Sequence, residues 1–213
     1  SSKSQQASGD IFADDSTNTT TPREYQVIDG VVDFGNDGPR HPEYDGYLTA
    51  ALQDIQDYWA ATFPEVYGSA WTPLGGGIHA AYPTRTTAMP ACSRTPRDAT
   101  YDDVAGNAFY CIVGDFMAYD DDFLLPRIVG DVGREGAAVV LAHEFGHAVQ
   151  ARADEWGQSG LLKEQQADCF AGAWVAHAAS GGSDVISFDD RSIRGGLIAM
   201  LQAKDPIDTS GID

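Results

Sequence analysis

The chain of 213 residues has few basic side chains: 13 Lys and Arg stand against 32 Asp and Glu, which gives a formal net charge of −19. A surface this acidic repels the phosphates of nucleic acids and the headgroups of anionic lipids. Long apolar runs are also missing, since no stretch of about 20 apolar residues occurs that could cross a bilayer. We therefore expect neither a nucleic-acid partner nor a transmembrane segment.

Cysteine is scarce as well, with three residues in the chain. Cys92 and Cys111 enclose a polar loop, which a disulfide would stabilise by roughly 3 kcal/mol on the chain-entropy model, and their spacing permits that bond without requiring it. Cys169 follows Asp168 in an apolar helical pattern, and we expect a small buried thiol there, with metal ligation as the alternative. The chain begins at Ser1 rather than at Met, as a processed export product would. We expect an extracellular or cell-envelope protein, tethered through its N-terminus.

One short stretch, residues 141–150, reads L-A-H-E-F-G-H-A-V-Q and contains His143, Glu144 and His147 in the order H-E-x-x-H. Helical residues four apart lie one above the other, so both imidazoles could bind a dication such as Zn²⁺. Glu144 would then take a proton from a water at an open coordination position. Gly146 weakens a helix by about 1 kcal/mol relative to Ala, which indicates close approach of another backbone. The alternative is two hydrogen-bonded histidines on an ordinary core helix.

A third metal ligand is predicted about twenty residues later. Residues 159–180 have helical period, and Glu164 and Asp168 fall on or beside the apolar stripe, where an unpaired carboxylate is costly. A zinc site accounts for both acids. Glu164 would be the third ligand and leave one position for water, and Asp168 would accept the free N–H of a ligand imidazole. The alternative is that both acids face solvent. The apolar stripe itself comprises Leu161, Ala167, Ala171, Trp174 and Ala178.

The remaining pattern predicts one α+β domain over residues 24–213, preceded by a polar tether, residues 1–23, that we expect to be disordered. Residues 25–34 are predicted to form a hairpin or an extended entry segment. We expect His79 to be a packed or an exposed histidine rather than a ligand, and residues 120–122 to be a solvated acidic turn rather than a calcium loop. Helices are predicted at 43–63, 133–153, 159–180 and from an N-cap at 187–190 to about Lys204, and strands within 71–82, 109–113 and 116–119.

Five segments occur along the chain in a fixed order. They are A-L-Q-D-I-Q-D-Y-W at 51–59, A-F-Y-C at 108–111, M-A-Y-D at 117–120, H-E-F-G-H-A-V-Q at 143–150 and E-Q-Q-A-D-C-F-A-G-A-W at 164–174. Together they resemble the bacterial neutral zinc metallopeptidases, a zincin group, and the likeness covers about residues 48–204. The resemblance implies a zincin-like domain, with a small sheet packed on the H-E-x-x-H helix and on further helices. It also implies that His143, His147 and Glu164 bind one catalytic zinc and that Glu144 is the base.

The expected activity is zinc-dependent hydrolysis of a peptide or protein substrate. By analogy with zincins, an edge strand from residues 109–119 would pair with the extended substrate, and Tyr110 or Tyr119 would donate to the oxyanion. Two other interpretations stay open: a zinc-stabilised envelope or binding protein without activity, and an inactive peptidase. The latter arises because members of the family usually continue past the last helix, whereas this chain stops at Asp213.

Overall fold

The helix that carries the H-E-x-x-H motif, α4 (Arg134–Arg152), lies at the centre of an α+β fold in a computed structural model that describes residues 24–93 and 97–202. It packs against four other helices and one strand. The elements around it are α1 (Asp45–Tyr67), β1 (Gly77–Ala81), α2 (Tyr101–Val104), β2 (Ala108–Cys111), β3 (Phe116–Asp120), α3 (Leu124–Val132), α5 (Gly160–Ala179) and α6 (Asp190–Gln202). The α+β class is as predicted. The predicted tether at 1–23 and the predicted helix end at Lys204 lie outside the described residues.

The three strands form one sheet in the order β1-β3-β2. The central strand β3 pairs in parallel with β1 and antiparallel with β2, so β2 is an edge strand. Alternate side chains face opposite sides of the sheet, and Met117 and Tyr119 join the main core beneath the helices while Phe116 and Ala118 join a smaller core. The helix α4 contacts β2, which brings this edge strand beside the predicted metal-binding helix.

The helix α1 supplies a large part of the core, and its apolar repeat was readable from the sequence. It begins at Asp45, two residues after the predicted start, because the turn before it is closed by the Asp45 carboxylate, which accepts the His41 backbone N–H at 2.7 Å. It continues beyond Phe63 and ends where Gly68 adopts a left-handed φ of 72°. Leu48, Leu52, Ile55 and Trp59 are buried, as the three- and four-residue spacing predicts.

One helix was not predicted from the sequence, and for residues 25–34 one of the two predicted alternatives does not form. The helix α3 was not predicted, because Pro126 and Gly130 interrupt its pattern; Pro126 lies in the first turn, where its missing N–H has no helical partner to lose. Residues 25–34 form no hairpin. They run as an irregular segment that makes one isolated bridge, between Asp33 and His79 on β1.

Two of the three acids in the run at the end of β3 are buried and Asp122 is exposed, so the expectation of a solvated turn was wrong for Asp120 and Asp121. Asp120 and Asp121 are both fully enclosed. The Asp120 carboxylate accepts backbone N–H groups from Gly106 and Phe123, and Asp121 accepts the Tyr44 hydroxyl at 2.8 Å. These donors satisfy Asp120 at both oxygens without a calcium loop, and they satisfy one oxygen of Asp121.

The cysteines are divided between a cross-link and a surface thiol. Cys92 and Cys111 form a disulfide with their Cα atoms 5.7 Å apart, which ties a loop to the edge strand β2. Cys169 is exposed, so the expected buried thiol was wrong: it lies on the opposite side of α5 from the buried Ala167 and Ala171. Leu161, expected on the buried stripe, is also exposed, because α5 meets the core only after its first turn. In the described part of the chain, no helix is long and apolar enough to cross a membrane.

Candidate metal centre

Three side chains from two helices converge at one point. The Nε2 atom of His143 on α4 lies 3.1 Å from Oε2 of Glu164 on α5, and the Nε2 atom of His147 lies 3.5 Å from the same oxygen. Each residue offers one ligand atom, and the three atoms lie within 4.8 Å of one another. Among the described residues, this is the group of acidic, cysteine or histidine side chains with the geometry to hold a metal ion.

The spacing of these atoms fits a zinc ion. Zinc binds imidazole nitrogen and carboxylate oxygen at about 2.0–2.1 Å in a tetrahedron, which separates neighbouring ligand atoms by about 3.3 Å. The two observed nitrogen-to-oxygen separations lie on either side of that value. Two histidines and one glutamate are also a donor set that zinc enzymes use, with a fourth position for water. The residues present therefore fit Zn²⁺.

Each imidazole is oriented by an oxygen on its other side. His143 Nδ1 lies 2.9 Å from Oδ1 of Asp168, and His147 Nδ1 lies 2.8 Å from Oε1 of Gln150. Carboxylate and amide oxygens only accept hydrogen bonds, so both Nδ1 atoms must be the donors. That leaves both Nε2 atoms directed toward Glu164 and available as ligands. The structure thus brings Asp168 to the position that the sequence predicted for it.

The surroundings of the site favour the protonated, positively charged form of both histidines. Burial disfavours the imidazolium form of His143, but hydrogen bonds with Asp168 and Glu164 outweigh burial and raise the pKa of this ring to about 10. Burial likewise opposes charge on His147, whose pKa is nevertheless raised by Glu164 and by the nearby charge of Glu144. Because Glu164 accepts hydrogen bonds from both imidazoles, its pKa lies far below the usual range. A bound dication would supply the same positive charge in place of the imidazole protons.

Contact between two helix backbones makes this convergence possible. A Cβ atom added at Gly146 would lie 3.1 Å from both Cα and the carbonyl oxygen of Ala167 on α5. A larger side chain here would have to push the two helices slightly apart, so the close approach predicted from Gly146 is confirmed. Glu164 and Asp168 lie on either side of Ala167, and the contact therefore delivers both carboxylates to the histidines.

The sequence also predicted a catalytic base, Glu144, and two possible oxyanion donors, Tyr110 and Tyr119. Glu144 is partly exposed beside His143, close enough for its charge to raise the pKa of both imidazoles. Tyr110 on β2 donates its hydroxyl to Asp115 at 2.7 Å, which already engages the donor expected at an oxyanion. Tyr119 is 1% exposed on the central strand, and its burial in the core argues against contact with a substrate.

His79 packs away from a ligand position, and Trp156 lies beside the site although the sequence did not predict it there. His79 is buried and bonded to Asp33 and to the Gly76 carbonyl, as expected of a packed histidine. Trp156 was not singled out from the sequence, although its ring meets that of His147 at 6.1 Å and that of Tyr110 at 5.8 Å between centroids. Trp156 follows the end of α4, where no periodic pattern marks a residue as part of a site.

Gln150 is the other residue that the sequence did not reveal as part of the site. The one available signal is its position, three residues after His147, which on a helix places the two side chains on neighbouring faces. Its burial, and its contacts with α5, required knowledge of how the two helices pack.

Similarity to known proteins is limited to part of the chain. No protein-family model matches it, and no solved structure matches it. The chain is similar to "Uncharacterized protein Rv2575" of Mycobacterium tuberculosis and "Uncharacterized protein Mb2605" of Mycobacterium bovis, with 36% identity over 85 residues in each case. The alignment covers 34% of this chain and 29% of the relative, so the chain spans less than a third of the length of these relatives. Neither name describes an activity.

Proposed function

We propose that this protein is a zinc-dependent peptide hydrolase of the zincin type, similar to the bacterial neutral zinc metallopeptidases. The observation that carries the proposal is the approach of both His143 and His147 Nε2 atoms to one Glu164 oxygen, with Glu144 on the same helix turn. A structural zinc site is normally closed by four protein ligands. In the described residues the group has three members, which favours a site with one position for water.

Each residue then has a distinct task. When bound, Zn²⁺ would polarise a substrate carbonyl and lower the pKa of a water toward 7. Glu144 would accept the proton of that water as its oxygen forms a bond to the carbonyl carbon, and would pass the proton to the amine as the C–N bond breaks. Asp168 keeps the Nδ1 proton on His143 and so keeps Nε2 directed toward the ligand position.

The edge strand β2 is the proposed binding surface for the substrate backbone. It pairs with β3 along one side, and among the described residues no strand pairs with its other side. An extended peptide can join such an edge through main-chain hydrogen bonds, whatever its side chains. The contact between β2 and α4 would hold that peptide near Glu144.

An extracytoplasmic location is part of the same proposal. Disulfides persist mainly in exported proteins, and the Cys92–Cys111 bond supports export on that ground. A protein or peptide would be the substrate, and the acidic surface disfavours nucleic acid as a partner.

The base and the ligands can be tested separately with two variants of the full chain. Glu144→Gln should retain about one zinc per chain, because the ligands are intact, and should lower peptide turnover by roughly 10²–10⁴-fold. His143→Ala should lose both zinc and activity. Metal content would be measured by elemental analysis, and turnover with a library of fluorogenic peptides.

Glu65→Gln is the matched control, since Glu65 is an exposed glutamate on α1. Unimpaired turnover by Glu144→Gln would remove the base assignment, and stoichiometric zinc in His143→Ala would remove the ligand assignment. A wild-type protein that binds zinc but cleaves no peptide would favour a zinc-stabilised binding protein instead.

A further inference from the structure

Gln150 is a buried polar residue whose hydrogen bonds join the two helices of the metal centre. It is 0% exposed and lies on α4, three residues after His147. Its Oε1 accepts from His147 Nδ1 at 2.8 Å. Its Nε2 donates to the Lys163 carbonyl at 2.6 Å and to Gln166 Oε1 at 3.0 Å, both on α5. The side-chain amide is therefore bonded at both ends.

We infer that Gln150 is a positioning residue that sets the second histidine ligand and the carboxylate ligand together. Its oxygen fixes the proton on His147 Nδ1 and so directs Nε2 toward the ligand position. Its amino group holds the carbonyl of Lys163, the residue directly before Glu164. One side chain thus determines both the orientation of His147 and the place where α5 presents Glu164. This inference rests on the metal site of the proposed function.

The chemistry of the amide explains why glutamine, rather than glutamate, occupies the position. His143 is oriented by the carboxylate of Asp168, and an acid at 150 could orient His147 equally well. However, a carboxylate has no N–H to donate, and it would face two acceptor oxygens, from Lys163 and Gln166, without a proton between them. Glutamine has an acceptor for the imidazole and two donors for α5.

A neutral residue at 150 also limits the negative charge around the site. Glu144, Glu164 and Asp168 already place three carboxylates near the imidazoles. The two histidines therefore have different partners, a carboxylate behind His143 and a neutral amide behind His147. A hydrogen bond to a neutral amide is weaker than one to a carboxylate. We therefore expect the orientation of His147 to be held less strongly than that of His143.

Two substitutions distinguish coupling of the helices from orientation of the ring alone. Gln150→Leu has similar volume and removes all three hydrogen bonds, and we expect it to bind Zn²⁺ about 10–100-fold more weakly. Gln150→Glu keeps an acceptor for His147 but loses the donors to α5. If Gln150 couples the helices, Gln150→Glu also loses affinity, by about tenfold. If it orients only the ring, Gln150→Glu binds zinc as tightly as wild type, and the inference is overturned.

The measurement is the dissociation constant for Zn²⁺ in competition with a chromophoric chelator, on full-length protein whose folding is checked by circular dichroism. The visible absorption spectrum of the Co²⁺-loaded protein reports ligand geometry independently of activity, and it should change in both Gln150 variants. Gln165→Leu, at an exposed position on α5, should leave the affinity and the spectrum unchanged.

The outcomes separate this inference from the proposed function. Suppose that wild type binds zinc and that a folded Gln150→Leu binds it with an affinity within twofold of wild type and with an unchanged Co²⁺ spectrum. That result overturns the role of Gln150 but does not contradict the hydrolase proposal. Failure of the wild-type protein to bind zinc overturns both. If Gln150→Leu does not fold, Gln150→Glu decides the question by the comparison described above.

Discussion

At the scale of single residues, a pair of buried carboxylates is an unfavourable feature of the fold. Asp45 and Asp121 meet where α1 begins and β3 ends, and both are almost completely enclosed. Within the described residues, Oδ1 of Asp45 and Oδ2 of Asp121 have no hydrogen-bond partner. Burial, together with the negative charge of Asp45, raises the pKa of Asp121 to about 7. At neutral pH this carboxyl group is therefore poised between its neutral and charged forms.

We predict that Asp121→Asn stabilises the protein in a pH-dependent way. An aspartate ionises near 3.9 in the unfolded chain, so between about pH 4 and pH 7 the folded protein binds more protons and stability falls as pH rises. Asparagine cannot ionise, and its Oδ1 can still accept the Tyr44 hydroxyl. We expect a gain of about 2 kcal/mol in the free energy of unfolding at pH 8 and little gain at pH 4.

Urea unfolding at both pH values measures this gain, with the exposed Asp98→Asn as control. An equal effect of Asp121→Asn at the two pH values would show that folding does not raise the pKa of Asp121.

At the scale of elements, Arg152 connects the end of α4 to the sheet. Its guanidinium lies 3.0 Å from both carboxylate oxygens of Asp115 in the β2–β3 turn, and it also donates to the Pro73 carbonyl at 2.9 Å. Asp115 in turn accepts the hydroxyl of Tyr110 on β2. The Arg152 side chain is 10% exposed and stacks over Trp71. The edge strand is thereby held against the helix that carries both histidines.

We predict that Arg152→Leu destabilises the protein by about 2 kcal/mol, since it leaves a partly enclosed carboxylate without its cation. The proposed metal ligands are untouched, so if the protein is a peptidase, KM for a peptide should rise more than kcat falls. Arg97→Leu is the matched control: Arg97 pairs with Asp103 at a similar distance but is 61% exposed, and such exposed pairs contribute little to stability. Urea unfolding and steady-state kinetics would make the comparison. Equal destabilisation by the two substitutions would show that Arg152 does not hold the sheet.

At the scale of the whole molecule, the proposed metal centre would link folding to metal binding. The three candidate ligands come from α4 and α5, and they meet only when these helices pack through Gly146 and Ala167. An unfolded chain does not bring the three side chains together, so a metal ion at this site would bind the folded state preferentially. Removal of the metal should then loosen the molecule at the contact between these two helices.

We predict that chelation lowers the melting temperature. Free zinc at 100 times its dissociation constant stabilises a folded protein by about 2.7 kcal/mol, which for a chain of this size corresponds to roughly 5–10 °C. Differential scanning calorimetry with the disulfide intact, at several free zinc concentrations, would measure the shift. The melting temperature of His143→Ala should be the same at every zinc concentration. A wild-type melting temperature that is independent of zinc would contradict binding at this centre.

Local patterns in the sequence predicted much of this fold because helix geometry repeats over a few residues. The periodicity of α1 and α5 was visible in the spacing of apolar side chains. The helix α4 was indicated by its H-E-x-x-H motif, and the glycine within that motif indicated the close approach of another backbone. The helix α3 was hidden by Pro126 and Gly130, whose effect depends on their position within a turn. The burial of Asp121, the exposure of Cys169 and the enclosure of Tyr119 depended on which distant elements pack around them, and no local pattern contains that information.

The sequence by itself determined that His143 and His147 share one helix face with Glu144 beside them, because a four-residue spacing has one outcome on an α-helix. It also predicted Glu164 as the third ligand and Asp168 as the partner of a ligand imidazole, because both lie on or beside an apolar stripe. Only the tertiary structure decided that these two helices meet with their backbones in contact, and that Gln150 bridges them. The reason is that a bridge across 16 residues of chain depends on the packing of two helices against each other, which the spacing within either helix does not specify.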